Sequence, residues 1–307
     1  MPDVPNVPAI DVSGLTIRYG DLSAIDGLSF TAEPGQVLAI LGPNGAGKTS
    51  TVEALEGYRR SAGGQARVLG LDPVADHAAL IRRIGVMLQT GGVYPGIRPL
   101  EALRLFAAYY DDPLDPDELL DLVGLRSVQS TVWRRLSGGE QQRLSLALAL
   151  VGQPEVAFLD EPSAGMDPAA RQMLWRVVRE ERDRGVCVVL TTHYLEEAER
   201  LADHVLIIDH GRLVAAGSPA ELMTAAAGDE IRFGAPPGVD VVALGQRLGA
   251  PVAEVTPGEY LVSAAASPAA VADLTAWLAE RDLPLADLRA GRQTLEDVFL
   301  RLTGAER

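Results

Sequence analysis

A glycine-rich stretch of eight residues carries the clearest chemical signal in the chain. Residues 42–49 read GPNGAGKT and match the phosphate-loop pattern G-x-x-x-x-G-K-[ST] without deviation. Its three glycines can adopt positive φ angles and leave no Cβ atom in the way, so we expect successive backbone amides to converge on phosphate groups. Lys48 adds a positive charge, and Thr49 offers a hydroxyl to Mg²⁺. The residues predicted to contact phosphates are Gly42, Pro43, Asn44, Gly45, Ala46, Gly47, Lys48, Thr49 and Ser50.

The sequence around this stretch is what a phosphate loop requires. Residues 36–41 (QVLAIL) form a short apolar strand that runs directly into the loop, and TVEALEGY after it has helical character. This order places the loop at a helix N-terminus, where free N–H groups and the helix dipole favour anions. The sequence therefore predicts a binding site for the phosphates of a nucleotide.

Two adjacent carboxylates end a second apolar strand. VAFLDEP contains Asp160 and Glu161, and because side chains alternate along a strand, the two need not address the same point. One can hold a metal ion while its neighbour faces an attacking water. Taken alone, DEP is also a common way for a strand to end in a turn.

The octamer LSGGEQQR, residues 136–143, has no structural role that demands those residue types in that order. From average residue frequencies it would arise by accident in on the order of one chain in ten million. It closely resembles the signature of ABC nucleotide-binding domains. With GPNGAGKT upstream and VAFLDEP downstream, residues 9–228 look like one such domain.

The resemblance implies an α/β fold of the P-loop NTPase (RecA-like) class, with an inserted helical subdomain and an antiparallel β-subdomain. It implies ATP and Mg²⁺ as cofactors and ATP hydrolysis as the activity. In this family two such domains pack head to tail, and each ATP lies between the phosphate loop of one and the signature of the other. The partner would be a second identical chain or a close homologue.

The residue types of the signature suit a helix start that binds an anion. Ser137 is expected to cap a helix, with Glu140 in its first turn, while Gly138 and Gly139 expose the first amides. This makes a second anion site, which we expect to lie too far from the phosphate loop to share its nucleotide. A second copy must therefore supply it.

Four further positions match the family one at a time. Tyr19 resembles the aromatic residue that stacks on adenine. Gln89, in GVMLQTGG, resembles the glutamine that touches Mg²⁺ or the attacking water. His193, in LTTHYLEEA, resembles the histidine that contacts the γ-phosphate. Asp167, in SAGMD, resembles the aspartate that crosses the dimer interface. Without the family context, Tyr19 would be interpreted as an aromatic residue that ends a strand, and His193 as a helix cap or a solvated side chain.

The resemblance also divides the chemical roles. Glu161 is expected to be the general base that polarises water, with His193 and Gln89 beside it as catalytic residues. Asp160, Thr49 and Gln89 are expected to hold Mg²⁺.

The elements that must position these residues follow from the pattern of apolar residues. Residues 9–33 alternate apolar and polar around turn signals and predict antiparallel strands, and residues of about 96–152 predict an inserted helical subdomain. Short apolar strands alternate with helices elsewhere, which implies a mostly parallel α/β sheet. These strands are EVAFLD (155–160), GVCVVLT (185–191) and DHVLIID (203–209).

The last quarter of the chain predicts a separate small domain. SPAELM carries a capping box, with Ser218 as N-cap, and its helix should stop near Gly228. Residues 1–8 are therefore a tail, 9–228 one domain, and 229–307 an α+β (ferredoxin-like) domain of the order strand, helix, strand, strand, helix, strand. A final helix, TLEDVFLRLTG, carries an apolar stripe that serves either core packing or partner binding.

Composition excludes several classes of function. The 307 residues carry a formal net charge of −15, which makes nucleic acid an unexpected partner, since phosphate backbones are bound by clustered Lys and Arg.

No apolar run approaches the roughly 18 to 20 residues that cross a bilayer. The first residues lack the basic and apolar regions of a signal peptide, so we expect a cytoplasmic chain. The single Cys187, inside a β-branched run, is predicted to be a small buried hydrophobe.

Two segments resemble the ATPases of daunorubicin-resistance-type drug and antibiotic exporters. They are MLQTGGVYPGIRPLEAL and the tail TLEDVFLRLTG. That resemblance implies a separate transmembrane permease and a place at the cytoplasmic face of the membrane, with a drug, an antibiotic or a lipid-like molecule as cargo. An importer ATPase remains an alternative. A second alternative is a non-transport ABC ATPase that acts on DNA or ribosomes, which should show coiled-coil insertions, a second cassette or basic arms. A third is a regulatory protein with an inactive site, which should lack Lys48, Glu161 or His193.

Overall fold

A computed structural model describes residues 7–88, 91–226, 230–290 and 294–304. The chain divides into two compact units, Met1–Pro219 and Ala220–Arg307. The boundary predicted between residues 228 and 229 falls outside the described residues and stays a prediction. Among the helices described, none is both long enough and apolar enough to span a bilayer.

Nine strands form two sheets among the described residues of the first unit. They are β1 (Ile10–Tyr19), β2 (Leu22–Ala32), β3 (Val37–Leu41), β4 (Gly63–Val68), β5 (Ile84–Met87), β6 (Val156–Asp160), β7 (Cys187–Thr191), β8 (His204–Asp209) and β9 (Arg212–Gly217). The larger sheet has the order β5-β6-β7-β3-β8-β9, parallel except for β9 at its edge. Every residue of β3, β6 and β7 is buried, as expected for the centre of a parallel sheet with both faces covered.

The smaller sheet is antiparallel, with the order β2-β1-β4. Its first two strands form a hairpin in which Tyr19 pairs with Leu22, and Gly20 in the turn has a φ of 59°. Positive φ is readily adopted by glycine, so this position suits the tight turn. The hairpin places Tyr19 at the end of its strand, as the sequence predicts.

In the described part of this unit, the helices that accompany the sheets are α1 (Lys48–Leu55), α2 (His77–Leu80), α3 (Pro99–Ala107), α4 (Pro116–Leu122), α5 (Gly138–Leu150), α6 (Pro168–Asp183) and α7 (Leu195–Leu201). The helices α3, α4 and α5 pack on one another and make up the helical segment inserted between β5 and β6. Two short 3₁₀ turns, Arg126–Val128 and Trp133–Arg135, lead into α5. This segment carries the signature at its carboxyl-terminal helix.

One apolar core joins the two sheets of the first unit. Residues such as Leu15 and Ile25 from the antiparallel sheet belong to the same cluster as Ile40 and Phe158 from the parallel sheet. Burial of a large aliphatic or aromatic side chain stabilises the fold by about 1.5–3 kcal/mol. Cys187 lies in this core with no exposed surface, and burial raises the pKa of its thiol to about 12. The prediction of a small buried hydrophobe at this position is confirmed.

The second unit begins at Ala220, which is the second residue of α8 (Pro219–Ala226). The elements that follow are β10 (Ile231–Gly234), α9 (Val241–Leu248), β11 (Val252–Thr256), β12 (Glu259–Val262), α10 (Pro268–Ala279), β13 (Asp287–Ala290) and α11 (Leu295–Thr303). Its sheet is antiparallel, with the order β11-β12-β10-β13. With α9 and α10 connecting the strands, this is the βαββαβ arrangement of ferredoxin-like folds. Its core includes Phe233 and Tyr260, whose rings stack with centroids 5.1 Å apart.

The last helix begins with a capping box formed by Thr294 and Asp297. Thr294 Oγ1 accepts a hydrogen bond from the Asp297 amide at 3.2 Å, and the Asp297 carboxylate accepts one from the Thr294 amide at 2.9 Å. Leu295 and Val298 of the apolar stripe are buried. Burial at these positions favours core packing over partner binding for this part of the stripe.

Candidate active site

The register of the parallel sheet brings the predicted motifs together at the carboxyl-terminal ends of its strands. In β7, Thr191 lies opposite Ile40 of β3 on one side and opposite Asp160 of β6 on the other. Because all three strands run in the same direction, the segments that follow them meet at their carboxyl ends. Ligands of open α/β sheets bind at such an edge.

The phosphate loop joins β3 to α1, as the sequence predicts. Gly45 and Gly47 have φ angles of 82° and 106°, which favour glycine. Gly42 differs from the expectation, since it is not among the residues with positive φ. A Cβ atom there would instead collide with the carbonyl oxygen of Ile208, so this position needs glycine for a close backbone approach. Ala46 anchors the loop, because its carbonyl oxygen accepts a hydrogen bond from Gly211 N at 3.1 Å.

Lys48 lies at the first position of α1 and is only 7% exposed. Its Nζ donates hydrogen bonds to the carbonyl oxygens of Gly42 at 2.7 Å and Pro43 at 3.1 Å. Burial lowers the pKa of the ammonium below its ordinary value, against the opposing effect of the nearby carboxylates of Glu161 and Asp160. These contacts orient the cation beside the carboxylate pair.

Asp160 is buried at the end of β6, where its carboxylate accepts a hydrogen bond from the hydroxyl of Thr191. Burial raises the pKa of Asp160, and Glu161 adds to that rise, while the bond from Thr191 and the charge of Lys48 lower it. Thr191 is not among the predicted site residues. The only signal for it in the sequence is a threonine that ends an apolar strand.

Glu161 follows directly and has an unusual backbone. Its φ of 47° lies in the left-handed region, which costs a residue with a Cβ atom about 1–2 kcal/mol. The Glu161 amide donates to the carbonyl oxygen of Thr191 at 3.0 Å and to its hydroxyl at 3.1 Å, which stabilises this turn. Strained residues of this kind cluster at functional sites.

His193 lies two residues beyond Thr191, on the loop that follows β7. Its Nδ1 is 3.4 Å from Oε1 of Glu161, and its side chain is 48% exposed. The ring packs on Tyr194 with a centroid separation of 4.1 Å. The predicted general base and the predicted γ-phosphate contact therefore lie side by side.

Tyr19 lies near the helix that carries the phosphate loop. Its hydroxyl is 2.9 Å from Oγ of Ser50, in the first turn of α1. The tyrosine is 40% exposed, so part of its ring is open to solvent. Thr49 and Asn44, also predicted to contact phosphate, are exposed in the same region.

The signature starts α5 with a complete capping box. Ser137 is the N-cap, its hydroxyl accepts from the Glu140 amide at 3.3 Å, and the Glu140 carboxylate accepts from the Ser137 amide at 2.7 Å. Gly138 and Gly139 form the first turn without side chains that would cover its amides. A helix start of this kind favours an anion.

Asp167 caps α6 by accepting a hydrogen bond from the Ala170 amide at 2.9 Å. The loop before it lies against the signature, since a Cβ atom on Gly139 would be 3.5 Å from the carbonyl oxygen of Gly165. The two predicted contributors to a dimer interface are therefore neighbours on one chain. Gln89 follows β5, and it lies outside the described residues.

The donor atoms fit Mg²⁺ bound together with phosphates. Within the described part of the chain, no three His, Cys, Asp or Glu side chains form a cluster that could hold a metal by itself. Mg²⁺ is usually bound by one or two carboxylates plus substrate phosphates. Asp160 lies close enough to Lys48 for the lysine charge to act on the pKa of its carboxyl group, lowering it, and this carboxylate suits that mode of binding.

Comparison with known proteins agrees with this arrangement. The ABC transporter family matches residues 25–164, which include the phosphate loop, the signature and the carboxylate pair. The Nod factor export ATP-binding protein I of Ralstonia nicotianae is 38% identical over 99% of this chain and 97% of its own length. The daunorubicin resistance ATP-binding protein DrrA3 of Streptomyces coeruleorubidus is 38% identical over 97% of both chains.

A solved structure of an ATP-binding subunit of an ABC transporter is 26% identical, with a TM-score of 0.66, and covers 71% of this chain and 93% of that chain. The predicted fold class and the predicted family resemblance are thereby confirmed. The chain belongs to the ABC transporter family, as one of its ATP-binding, ATP-hydrolysing subunits.

Proposed function

We propose that this chain drives export through a separate transmembrane permease at the cytoplasmic face of the membrane. The support is similarity over nearly the full length to a Nod factor export protein and a daunorubicin resistance protein. The proposed cargo is a drug, an antibiotic or a lipid-like molecule. ABC ATP-binding subunits act with transmembrane components, and the permease would select the cargo.

For hydrolysis, the supporting observation is the convergence of Lys48, Asp160, Glu161 and His193 at one edge of the parallel sheet. Lys48 would neutralise charge on the phosphates, and the loop amides would orient them. Glu161 would accept a proton from the attacking water, with His193 beside it to contact the γ-phosphate. Asp160, Thr49 and Gln89 would hold Mg²⁺, which when bound polarises phosphate oxygens.

The site would be completed by a second copy of the chain or a close homologue. The Ser137 helix start would bind the γ-phosphate held by the partner's phosphate loop, with Asp167 near the same interface. Loss of the γ-phosphate then removes a contact that joins the two copies. Opening of the dimer is a population shift produced by the ligand, and the permease would respond to it.

Two variants separate binding from chemistry. Glu161→Gln keeps the shape of the side chain and removes the base, so we expect the ATPase kcat to fall about 10²- to 10⁴-fold, with ATP still bound. Lys48→Ala removes charge at the phosphates, so we expect ATP binding itself to weaken. Calorimetric ATP affinities and steady-state ATPase rates would be measured for both. Equal ATP affinity in the two variants would contradict these assignments.

A further inference from the structure

A cluster of three side chains surrounds the predicted adenine contact. The Tyr19 hydroxyl donates to Oε2 of Glu53 at 3.4 Å and also meets Oγ of Ser50. The same Glu53 oxygen accepts a hydrogen bond from Nε of Arg59 at 2.8 Å. The guanidinium carbon of Arg59 lies 4.2 Å from the centroid of the Tyr19 ring, on one of its faces.

The end of α1 brings Arg59 to this position. Gly57 has a φ of 86° and donates to the carbonyl oxygen of Ala54 at 3.3 Å, while Tyr58 N donates to that of Glu53 at 2.9 Å. These two bonds make the Schellman motif, which ends a helix and reverses the chain. Arg59 N then also donates to the Glu53 carbonyl at 3.2 Å, so its side chain returns along the helix.

This arrangement restricts the tyrosine ring. A cation over an aromatic face is attracted by the negative charge of that face. Glu53 binds both the cation and the hydroxyl, so displacement of the ring would break two contacts at once. Since Ser50 and Glu53 belong to α1, the ring is also tied to the helix that carries the phosphate loop. An aromatic ring has two faces, and Arg59 covers one of them.

We propose that Arg59 is a positioning residue for the adenine ring of ATP, because it covers one face of Tyr19 and, with Glu53, holds the opposite face ready for the base. This inference rests on the stacking of adenine on Tyr19 that the family resemblance predicts. Arg59 acts through Tyr19 and does not contact the phosphates. Its loss therefore weakens recognition of the base and leaves recognition of the phosphates unchanged.

The test compares ATP with inorganic tripolyphosphate, which offers the phosphates without a base. Loss of a partly exposed cation–π contact corresponds to about a two- to fivefold change in affinity. We expect Arg59→Ala to weaken ATP by that factor, to leave tripolyphosphate unchanged, and to keep kcat at saturating ATP. Arg60→Ala is the matched control, because Arg60 is the exposed neighbour with the same charge, and it should change neither affinity.

Arg59→Lys provides a second variant in case the alanine variant is poorly folded. It keeps the charge and loses the planar group, so ATP affinity should lie between wild type and Arg59→Ala. Equal losses for ATP and tripolyphosphate would overturn the inference, since Arg59 would then contact phosphates. Unchanged ATP affinity in both Arg59 variants would overturn it as well.

Tyr19→Ala distinguishes this outcome from failure of the proposed stacking. If Tyr19→Ala leaves ATP affinity unchanged, adenine does not stack on Tyr19, and the proposed contact itself is wrong. If Tyr19→Ala weakens ATP while the Arg59 variants do not, only the role of Arg59 is wrong.

Discussion

At the scale of single residues, Thr191 contacts both acidic residues of the site. Its hydroxyl donates to the Asp160 carboxylate and accepts from the Glu161 amide. One buried hydroxyl thus helps to keep Asp160 charged, and it also stabilises the strained backbone that sets the direction of Glu161. A hydrogen bond to a charged group is worth about 1.5–3 kcal/mol.

Thr191→Val should therefore lower the ATPase rate by about tenfold or more, because it leaves Asp160 without this donor while keeping the shape of the side chain. Steady-state ATPase rates at saturating Mg²⁺ and ATP would measure the effect. Thr191→Ser retains the hydroxyl and should keep most of the activity. A serine variant as impaired as the valine variant would point to packing in place of the hydrogen bond.

Glu56 offers a prediction about pH. Its side chain is buried, and burial, followed by the charges of Asp160 and Glu53, raises its pKa from an ordinary 4.5 to about 8. The folded chain therefore holds a proton that the unfolded chain has released. Its contribution to stability is present in full below pH 4.5 and is lost as the pH rises to about 8, by at most about 1.4 kcal/mol per pH unit.

Glu56→Gln imitates the protonated acid, so we expect it to remove this part of the decline in unfolding free energy. Denaturant unfolding at several pH values between 4.5 and about 8 would measure it. Glu118→Gln, at an exposed position on α4, should decline in parallel with wild type. Parallel curves for Glu56→Gln and wild type would show that Glu56 is ionised in the fold.

At the scale of elements, the start of α5 combines a structural cap with a proposed anion site. The reciprocal bonds of Ser137 and Glu140 satisfy two backbone amides and leave the others of the first turn available. The start of α4 offers a comparison, since Asp115 caps it by accepting from the Asp117 amide at 2.7 Å. The two caps should be similar for stability and different for function.

Ser137→Ala and Asp115→Ala should each reduce the unfolding free energy by about 1 kcal/mol. We expect only Ser137→Ala to reduce ATPase activity, since only that helix start is proposed to bind the γ-phosphate. Thermal unfolding and ATPase rates of the two variants would be compared. Similar activity losses in both would mean that stability alone accounts for the effect of Ser137.

At the scale of the whole molecule, the proposed head-to-tail pairing predicts complementation between two inactive chains. Lys48→Ala damages the phosphate loop, and Ser137→Arg would block the signature, so each homodimer should be inactive. In a mixed dimer, one site combines an intact phosphate loop with an intact signature. We expect the mixture to regain part of the wild-type ATPase rate, measured as a function of mixing ratio. A mixture no more active than its components would contradict a site shared between two chains.

The sequence by itself determined those features that depend on consecutive residues. The phosphate loop at 42–49, the carboxylate pair and the helix start at Ser137 are local, because glycine conformations and N-caps act within a few residues. The order of strands and helices followed from their apolar periods. The expectation of a positive φ at Gly42 was wrong. This glycine is needed because the backbone of Ile208, distant in sequence, leaves no room for a Cβ atom.

Only the tertiary structure decided how distant segments meet. Thr191 lies 31 residues from Asp160, and the bond between them exists because β6 and β7 are neighbours in register. The 3.4 Å approach of His193 to Glu161 has the same origin, and the stacking of Arg59 on Tyr19 likewise joins two distant segments, the residues after α1 and the end of β1. The order of strands in a sheet is set by packing of the whole core, so local sequence patterns do not determine which side chains face one another across it.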